Sequence, residues 1–401
     1  MNKFSYIHSL EDVKLVLGNG YDLHCKLHSS YKDYVRKNKD LFKHLEDITN
    51  KYKIHFDKCV SFSKNPTFRE NNIESINIWD FIFALATNFN GENSLWCDIE
   101  KIIKHSLDDK ILYYIVSLPN VLKTIQEKKT DSRFNEDLLA SFIIHKKDIK
   151  SIYRSEDFYK FLFDELKLFE VLFGLFIKRQ RMNIDNSYFN YGMKNDKYEK
   201  CATETLKSLC NIDSVVSVDN FNFDDCGIEQ FAGIERNING NVEAPIFGID
   251  SVYSPSDCRI MFTKTYRRIL DDMCSLDTKE MPSFKNVIIY GHSLDESDYS
   301  YFFPIFDKIK IFDPIEKGVV VFAFTIYDLA KEEKIKDSLN KSIYKIIENY
   351  ALYKGYSDKD KTRFIDYLST QKRILMYEIP ELKEPRYNYA SMFDSGFVEK
   401  I

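Results

Sequence analysis

A short apolar run near the start of the chain is followed by two glycines and an aspartate, residue types that can bind a nucleotide. In the stretch LVLGNGYDLH, residues 15–24, Gly18 and Gly20 stand where a strand would pass into a helix, and Asp22 follows them. Glycines in such a turn let backbone N–H groups approach a phosphate closely. The pattern G-x-G-x-x-G is incomplete, because Leu23 occupies the third glycine position. The turn therefore predicts a phosphate contact or, alternatively, an ordinary tight turn.

A second polar segment follows an apolar run late in the chain, in NVIIYGHSLDESDYSYF, residues 286–302. Gly291 ends the apolar run, and His292, Ser293 and Asp295 come after it. Histidine is suited to general-base catalysis because its ordinary pKa lies near neutral pH. The alternative is structural: Ser293 or Asp295 caps the next helix, and His292 is a surface residue.

A third polar segment ends the apolar run in SVVSVDNFNFDD, residues 214–225. Asn222, Asp224 and Asp225 follow the run, and ERNINGN at residues 235–241 adds further amides. Turns also prefer Asn, Asp and Gly, so each segment taken alone is compatible with a purely structural role. Because the carboxyl ends of parallel strands meet at one edge of a sheet, we expect the three polar segments to converge on one cleft.

Carboxylates also occur in pairs in the middle of the chain. Asp98 and Glu100 lie in WCDIE, and Glu165 and Glu170 lie in an aromatic-rich segment. Paired carboxylates can polarise water or hold a metal ion, and a solvated helix face is the alternative. The basic run KRQR, residues 178–181, is predicted to be a solvated helix end.

The elements that would position these residues are predicted from apolar runs and from the placement of glycine and proline. Branched apolar runs, typical of strands in a parallel sheet, occur at residues 13–17, 215–218, 244–249, 286–291, 319–325 and 373–379. Glycine and proline are scarce between residues 21 and 226, which predicts helices there. The segment FYKFLFDELKLFEVLFGLFIKRQ, residues 158–180, is predicted to be a buried helix, and another helix is predicted over 327–349.

The predicted fold class is α/β, with a parallel-sheet, nucleotide-binding core of the Rossmann kind. The core domain is predicted at residues 1–36 and 211–401, and a large α-helical insertion is predicted at residues 37–210.

Composition limits the class of protein. The 401 residues are 44% apolar and 15% aromatic, which excludes an intrinsically disordered chain. The 57 basic and 62 acidic residues give a net charge of −5, so a non-specific nucleic-acid binder is not favoured. The eight cysteines form no C-x-x-C pair, which favours reduced thiols over a zinc site or a disulfide framework. Without a signal peptide or a run of about 18 apolar residues, we expect a cytoplasmic protein with no membrane partner.

The sequence resembles the AbiH family of bacterial phage abortive-infection proteins. The motifs that carry the resemblance, in family order, are LGNGYDLHCKLHSSYKDY, WCDIE, FDELKLFE, FNFDD, FGID, FTKTYRRI and YGHSLDESDYSYFFPIF. The resemblance implies defence against phage by damage to, or arrest of, the infected cell. The resemblance does not specify which reaction the protein catalyses.

A more distant likeness to sirtuin-like NAD-binding domains suggests a ligand. The corresponding pieces here are residues 18–22, 222–224, 239–240 and 291–294. The likeness implies NAD as ligand or substrate. Where sirtuin-like enzymes carry a histidine before glycine, this chain has Asn239. The usual base of those enzymes is therefore missing here. Either His292 takes its place, or the activity is different or absent.

The first functional hypothesis is an NAD-consuming hydrolase that cleaves the bond between nicotinamide and ribose. Asp224 or Asp22 would stabilise the cation-like transition state. His292 would act as general base, and Asn222 would orient the ribose or the water. The predicted nucleotide-binding residues are Gly18, Asn19, Gly20, Gly291, Ser293 and Asp295.

Two further hypotheses remain open. In the second, the chain is a nucleotide-binding sensor without turnover, and the helical insertion contacts a phage component or a partner subunit. The third is a metal-dependent nuclease that uses Asp98 and Glu100, although no metal is predicted under the first two. A homo-oligomer is compatible with all three.

Overall fold

The structure is a computed structural model of the chain. It describes residues 3–31, 33–34, 79, 99–108, 156–186, 197–224, 234–249, 253–274 and 282–381. Two of the predicted candidate residues, Asp98 and Asp225, lie outside the described residues.

The described strands form one six-stranded sheet in which every neighbouring pair is parallel. They are β1 (Val13–Leu17), β2 (Val215–Asn220), β3 (Ile234–Asn237), β4 (Asn286–Tyr290), β5 (Val320–Phe324) and β6 (Ile374–Glu378). The spatial order is β3-β2-β1-β4-β5-β6. This is the order of a doubly wound Rossmann sheet, whose direction of winding reverses between β1 and β4. The predicted α/β fold class is confirmed.

One predicted strand is wrong. Residues 244–249 form no strand of the sheet, and Pro245 and Ile249 make only isolated bridges. The third strand is β3 instead, which falls in the segment predicted as a polar turn. Because β3 is an edge strand with exposed Glu235 and Arg236, it lacks the continuous apolar character of the inner strands. Residues 244–249 are apolar because they pack beneath a helix, not because they pair with strands.

Helices of very different lengths surround the sheet. Those described are α1 (Lys3–Ile7), α2 (Asn19–His24), α3 (Ile99–Asp108), α4 (Glu156–Asn186), α5 (Lys197–Leu209), α6 (Lys264–Cys274), α7 (Tyr299–Lys308), α8 (Glu332–Tyr353) and α9 (Asp358–Thr370). The helix predicted over 327–349 is α8, which begins later because a short 3-10 turn, Leu329–Lys331, precedes it. None of the described helices combines the length and the apolar character needed to cross a bilayer.

The predicted buried helix is α4, a single helix of 31 residues. Leu166, Phe169 and Phe173 are buried along one side of it, whereas Leu168 and Val171 are exposed. Helix α4 therefore buries one face only, against the sheet domain.

Apolar side chains cover both faces of the sheet, because successive residues of a strand point to opposite faces. On one face, Leu15 and Leu17 belong to a core that includes buried side chains of α3, α4 and α5. On the other face, Val16, Ile289 and Phe322 pack with α7 and α8. Polar side chains lie instead along the edge of the sheet that the carboxyl ends of the strands form.

Candidate functional site

The two glycine turns that follow β1 and β4 pack against each other through their backbones. The Gly20 N–H donates to the Gly291 carbonyl at 2.8 Å, and the Gly18 N–H donates to the Tyr290 carbonyl at 2.9 Å. A Cβ on Gly20 would lie 2.6 Å from the Cα of Gly291. Gly291 also has a φ of +68°, in the left-handed region that favours glycine. Glycine is required here because the two turns touch.

The contact between the two turns uses the N–H groups of Gly18 and Gly20, which were predicted to donate to a phosphate. In this structure the Gly18 and Gly20 N–H groups both donate to carbonyls of the β4 turn. The predicted phosphate contact of these glycines therefore stays a prediction. Between them, Asn19 turns its side chain back into the protein, and its Nδ2 donates to Ser29 Oγ at 2.8 Å.

Asp22 lies fully buried on α2. Its carboxylate accepts a hydrogen bond from Ser29 Oγ at 2.5 Å and another from the Tyr198 hydroxyl at 3.0 Å. Tyr198 lies on α5, so the aspartate of the first turn is tied to a helix far away in sequence. Both of these donors are hydroxyl groups.

Arg181 connects Tyr198 to the next predicted residue, Asp224. The Arg181 guanidinium lies 4.2 Å from the centre of the Tyr198 ring and donates to Asp224 Oδ2 at 2.5 Å. Its side chain is only 19% exposed. The prediction of a solvated basic run is therefore wrong for Arg181, because an acidic partner in the sheet domain draws it inward. A chain of polar contacts runs from Asn19 on α2 to Asp224 after β2.

Amide side chains order the turns that follow β2 and β3. Asn220, the last residue of β2, donates to the Asp224 carbonyl at 2.7 Å and to Asn237 Oδ1 at 3.0 Å. Its own Oδ1 accepts the Asn222 N–H at 2.9 Å. Asn239 donates through Nδ2 to the Phe221 carbonyl at 2.9 Å. Asn239 thus holds the β2 and β3 turns together.

His292 sits in an aromatic slot, with ring centres 4.5 Å from Phe221 and 5.0 Å from Phe302. The Leu294 N–H donates to His292 Nδ1 at 2.9 Å, so in the neutral ring the proton is on Nε2. Nε2 lies 3.6 Å from Asp298 Oδ2. Burial lowers the pKa of His292 below its ordinary value, which keeps the imidazole neutral near pH 7.

Asp298 belongs to a buried charged cluster with Lys264 and Glu100. Lys264 Nζ lies 2.8 Å from Asp298 Oδ1 and also contacts the Glu100 carboxylate. Burial alone would raise the pKa of Asp298, but the nearby Lys264 ammonium outweighs burial and lowers that pKa. Burial alone would lower the pKa of Lys264, but its two carboxylate neighbours raise it. The cluster connects α3 and α6 to the loop of His292.

The other carboxylates considered for metal binding have protein partners. Glu170 on α4 forms a two-pronged pair with Arg267 on α6 and accepts the Phe247 N–H at 2.7 Å. Glu165 lies half-buried on the same helix. Among the residues that the structure describes, no group of three His, Cys, Asp or Glu side chains is placed to hold a metal ion.

Ser293 and Asp295 lie at the outer side of the His292 loop. Ser293 is exposed and Asp295 is half-buried. Helix α7 begins after Asp298, which occupies its N-cap position, so neither residue caps that helix. The expectation that His292 is a surface residue is wrong, because its side chain is 5% exposed.

His24, the last residue of α2, was not predicted as a site residue. His24 Nδ1 lies 2.7 Å from the Tyr290 hydroxyl and 3.1 Å from Thr325 Oγ1. Burial lowers its pKa to about 4. Its Nε2 is buried with no hydrogen-bond partner among the described residues. No local pattern distinguishes this histidine, because its partners come from β4 and from the loop after β5.

The structure brings the four predicted catalytic residues to one edge of the sheet. Asp22 and Asp224 are linked through Tyr198 and Arg181, and the Phe221 ring adjoins His292. Asn222 follows Phe221 directly. All four side chains are almost completely buried, so the cluster is closed to solvent in this conformation.

The sequence model of the family described as "Bacteriophage abortive infection AbiH" matches residues 15–313, which include every residue of this cluster. The chain belongs to the AbiH family. Family membership places it in abortive-infection defence against bacteriophage. Comparison with curated proteins and with solved structures returned no match, so the likeness to sirtuin-like domains stays a prediction.

The AbiH motifs quoted from the sequence account for most of this edge of the sheet. GNGYD and YGHS supply the two turns that touch, and FNFDD supplies the turn after β2. FTKTYRRI carries Lys264 and Arg267, which hold Asp298 and Glu170. The family motifs that follow β1, β2 and β4 therefore meet at this edge of the sheet.

Proposed function

We propose that this AbiH protein arrests the infected cell by consuming NAD, with cleavage of the bond between nicotinamide and ribose. The observation that carries the proposal is the convergence of Asp22, Asn222, Asp224 and His292 at the carboxyl edge of a Rossmann-ordered sheet. Ligands of open α/β sheets bind at this edge, close to the point where the strand order reverses. The reaction passes through a ribosyl cation, which a preorganised negative charge stabilises.

Asp22 suits that task better than Asp224. The hydroxyls of Ser29 and Tyr198 hold the Asp22 carboxylate in place. The Asp224 carboxylate is paired with the guanidinium of Arg181, which offsets its charge. In this proposal Asp22 stabilises the cation, and Asn222 orients the ribose or the attacking water.

His292 is the proposed base. Its lowered pKa favours the neutral ring, the form that can accept a proton. The Nδ1 lone pair is used by the Leu294 N–H, so the imidazole must change tautomer before Nε2 accepts. The Asp298 carboxylate 3.6 Å from Nε2 favours the charged ring that results.

The polar groups nearest to solvent define where the nucleotide enters. Ser293 is exposed, and Asp295 and Asn239 are half-buried. The Oδ1 of Asn239 is a buried acceptor with no partner among the described residues, and it fits a ribose hydroxyl donor. Because the catalytic side chains are buried, the proposal requires the turns to open before the ribose reaches Asp22.

The test is nicotinamide release from NAD by the purified full-length chain, alone and with extract of phage-infected cells. We expect Asp22→Asn and His292→Gln to lower the rate about 100-fold. Asp337→Asn serves as the matched control, because Asp337 is an exposed carboxylate that pairs with surface Lys341. Near-ultraviolet circular dichroism of each variant establishes that its fold is retained. Equal rates in all four proteins would overturn the site.

A sensor without turnover is the second candidate, and Asn239 favours it. This residue stands where sirtuin-like enzymes carry histidine, and its amide serves to hold the Phe221 carbonyl. NAD binding without nicotinamide release in either condition would select the sensor. Absence of both binding and release would direct the test to the nuclease hypothesis, which is less favoured because Glu100 contacts the Lys264 ammonium.

A further inference from the structure

Two cysteines meet where α2 contacts α5. Cys25 directly follows the last residue of α2 and is buried, and Cys201 lies half-buried on the second turn of α5. Cys201 Sγ donates to the His24 carbonyl at 3.6 Å, and that carbonyl belongs to the peptide bond that enters Cys25. Cys25 Sγ lies 4.0 Å from Thr205 Oγ1, one helical turn beyond Cys201. A side-chain hydrogen bond joins Cys25 to Cys201, so the two thiols face each other across this helix contact.

The surroundings of the pair favour thiol chemistry at Cys201. A hydrogen bond from Cys25 lowers the pKa of Cys201, and the nearby Lys26 ammonium lowers it further. Burial instead raises the pKa of Cys210 to about 12 and also raises that of Cys258. Since the thiolate is the nucleophile, Cys201 is better suited to thiol chemistry than Cys210 or Cys258.

We propose that Cys25 and Cys201 form a reversible disulfide that fastens α2 to α5. With a peroxide as oxidant, the Cys201 thiolate attacks one oxygen, the O–O bond breaks, and the other oxygen leaves as water after protonation. The resulting sulfenic acid is attacked by the Cys25 sulfur, and a second water leaves as the S–S bond forms. Two thiols are oxidised and one peroxide is reduced, and a dithiol reverses the change by exchange.

The disulfide would act on the candidate site, and this consequence rests on the proposed function. Asp22 lies three residues before Cys25, and Tyr198 lies three residues before Cys201. The Asp22–Tyr198 hydrogen bond thus lies beside the sulfur pair and joins the same two helices. A covalent link there holds the first turn closed over buried Asp22, so oxidation lowers access of the nucleotide.

The experiment treats the full-length chain with hydrogen peroxide, alkylates the remaining thiols and maps linked peptides by mass spectrometry without reduction. We expect a Cys25–Cys201 peptide as the main intramolecular link, and dithiothreitol should remove it. Cys201→Ser should abolish the link, and Cys258→Ser, at a half-buried cysteine in the 3-10 turn Cys258–Phe262, should retain it. A main link between other cysteines, or oxidation of Cys201 to a sulfinic acid without any link, would overturn the proposal.

Hydrogen exchange of α2 and nicotinamide release, each measured before and after oxidation, separate the two proposals. If oxidation slows hydrogen exchange in α2 of the wild type but not of Cys201→Ser, the result supports a disulfide that restrains α2. Unchanged exchange despite a complete link shows that the disulfide does not restrain α2. If the reduced protein releases no nicotinamide, the proposed NAD cleavage is wrong. The presence or absence of the linked peptide still tests whether the disulfide forms.

Discussion

Gly20 and Gly291 touch through backbone atoms alone, and this contact sets the distance between the turns after β1 and β4. Gly20 lies in α2, where alanine is ordinarily the better helix former by about 1 kcal/mol. The nearest neighbour of an added Cβ is the Gly291 Cα, which belongs to the backbone and cannot rotate away. At this position the tertiary contact reverses the preference of the helix.

We expect Gly20→Ala to lower the free energy of unfolding by about 3 kcal/mol, because the turns must separate to admit the methyl group. Gly355→Ala is the control. Gly355 has a φ of +82° and open space around it, so only the backbone conformation is strained, at about 1–2 kcal/mol. Urea unfolding of both variants measures the difference. A smaller loss for Gly20→Ala than for Gly355→Ala would contradict the close contact.

His24 predicts a pH dependence of stability. Its folded-state pKa is about 4, below the ordinary value, so the unfolded chain takes up the proton first as the pH falls. The contribution of this residue to stability is therefore complete above about pH 6.5 and declines toward pH 4. We expect His24→Asn, which keeps an acceptor near the Tyr290 hydroxyl, to lose less stability over this range than the wild type. Melting temperatures measured from pH 7 to pH 4 test this; parallel curves for the two proteins would contradict it.

The polar residues at strand ends were predictable, and their partners were not. Asp22, Asn222 and His292 each follow an apolar run closely, and parallel strands bring such positions together. The partners lie on helices and are Tyr198, Arg181 and Lys264. In a sequence, a polar residue on the inner face of a helix looks the same as a polar residue on its solvated face. Contacts between segments far apart in sequence leave no local pattern. The functional roles of the predicted residues stay predictions.

At the scale of elements, the inner strands were predictable because burial on both faces makes them continuously apolar. The edge strand β3, IERN, lacks that signature, and the apolar segment 244–249 imitates it while packing beneath α4. Helix α4 was predicted as buried, and its second, exposed face shows that aromatic periodicity alone overstates burial. The pair of Glu170 and Arg267 fixes how α4 meets α6.

Arg267→Met should leave the buried Glu170 carboxylate without its guanidinium and lower the free energy of unfolding by about 3–5 kcal/mol. The double variant Arg267→Met with Glu170→Gln should recover a large part of this loss. The amide removes the charge yet still accepts the Phe247 N–H. Urea unfolding of the single and double variants measures the coupling. Additive losses would show that the pair does not interact as the structure indicates.

At the scale of the whole molecule, α3, α4 and α5 share one core with β1. Leu15 and Leu17 of the sheet and Leu166 and Phe173 of α4 belong to the same cluster of buried residues. The predicted boundaries of the helical insertion, 37–210, stay a prediction. Whatever those boundaries are, the described helices within them are packed into the core of the sheet domain.

We therefore expect sheet and helices to unfold together, in one calorimetric transition. Phe173→Ala should lower the midpoint of that whole transition, because its buried ring contacts Phe247 at 5.0 Å between centres and its loss costs about 3–5 kcal/mol. Leu175→Ala, at an exposed position on the same helix, is the control with a much smaller effect. Two separate transitions, with Phe173→Ala moving only one, would contradict a shared core.

The position of β1 in the sheet also has a consequence for synthesis on the ribosome. Its two neighbours, β2 and β4, begin at Val215 and Asn286, whereas β1 ends at Leu17. At about 5–20 residues per second, the centre of the sheet is made about 10–40 s before its first pairing partner. During that interval the apolar segment VKLVL has both edges open, and unpaired strand edges make a chain prone to aggregation. Among the strands that the structure describes, the central strand β1 waits longest to be paired.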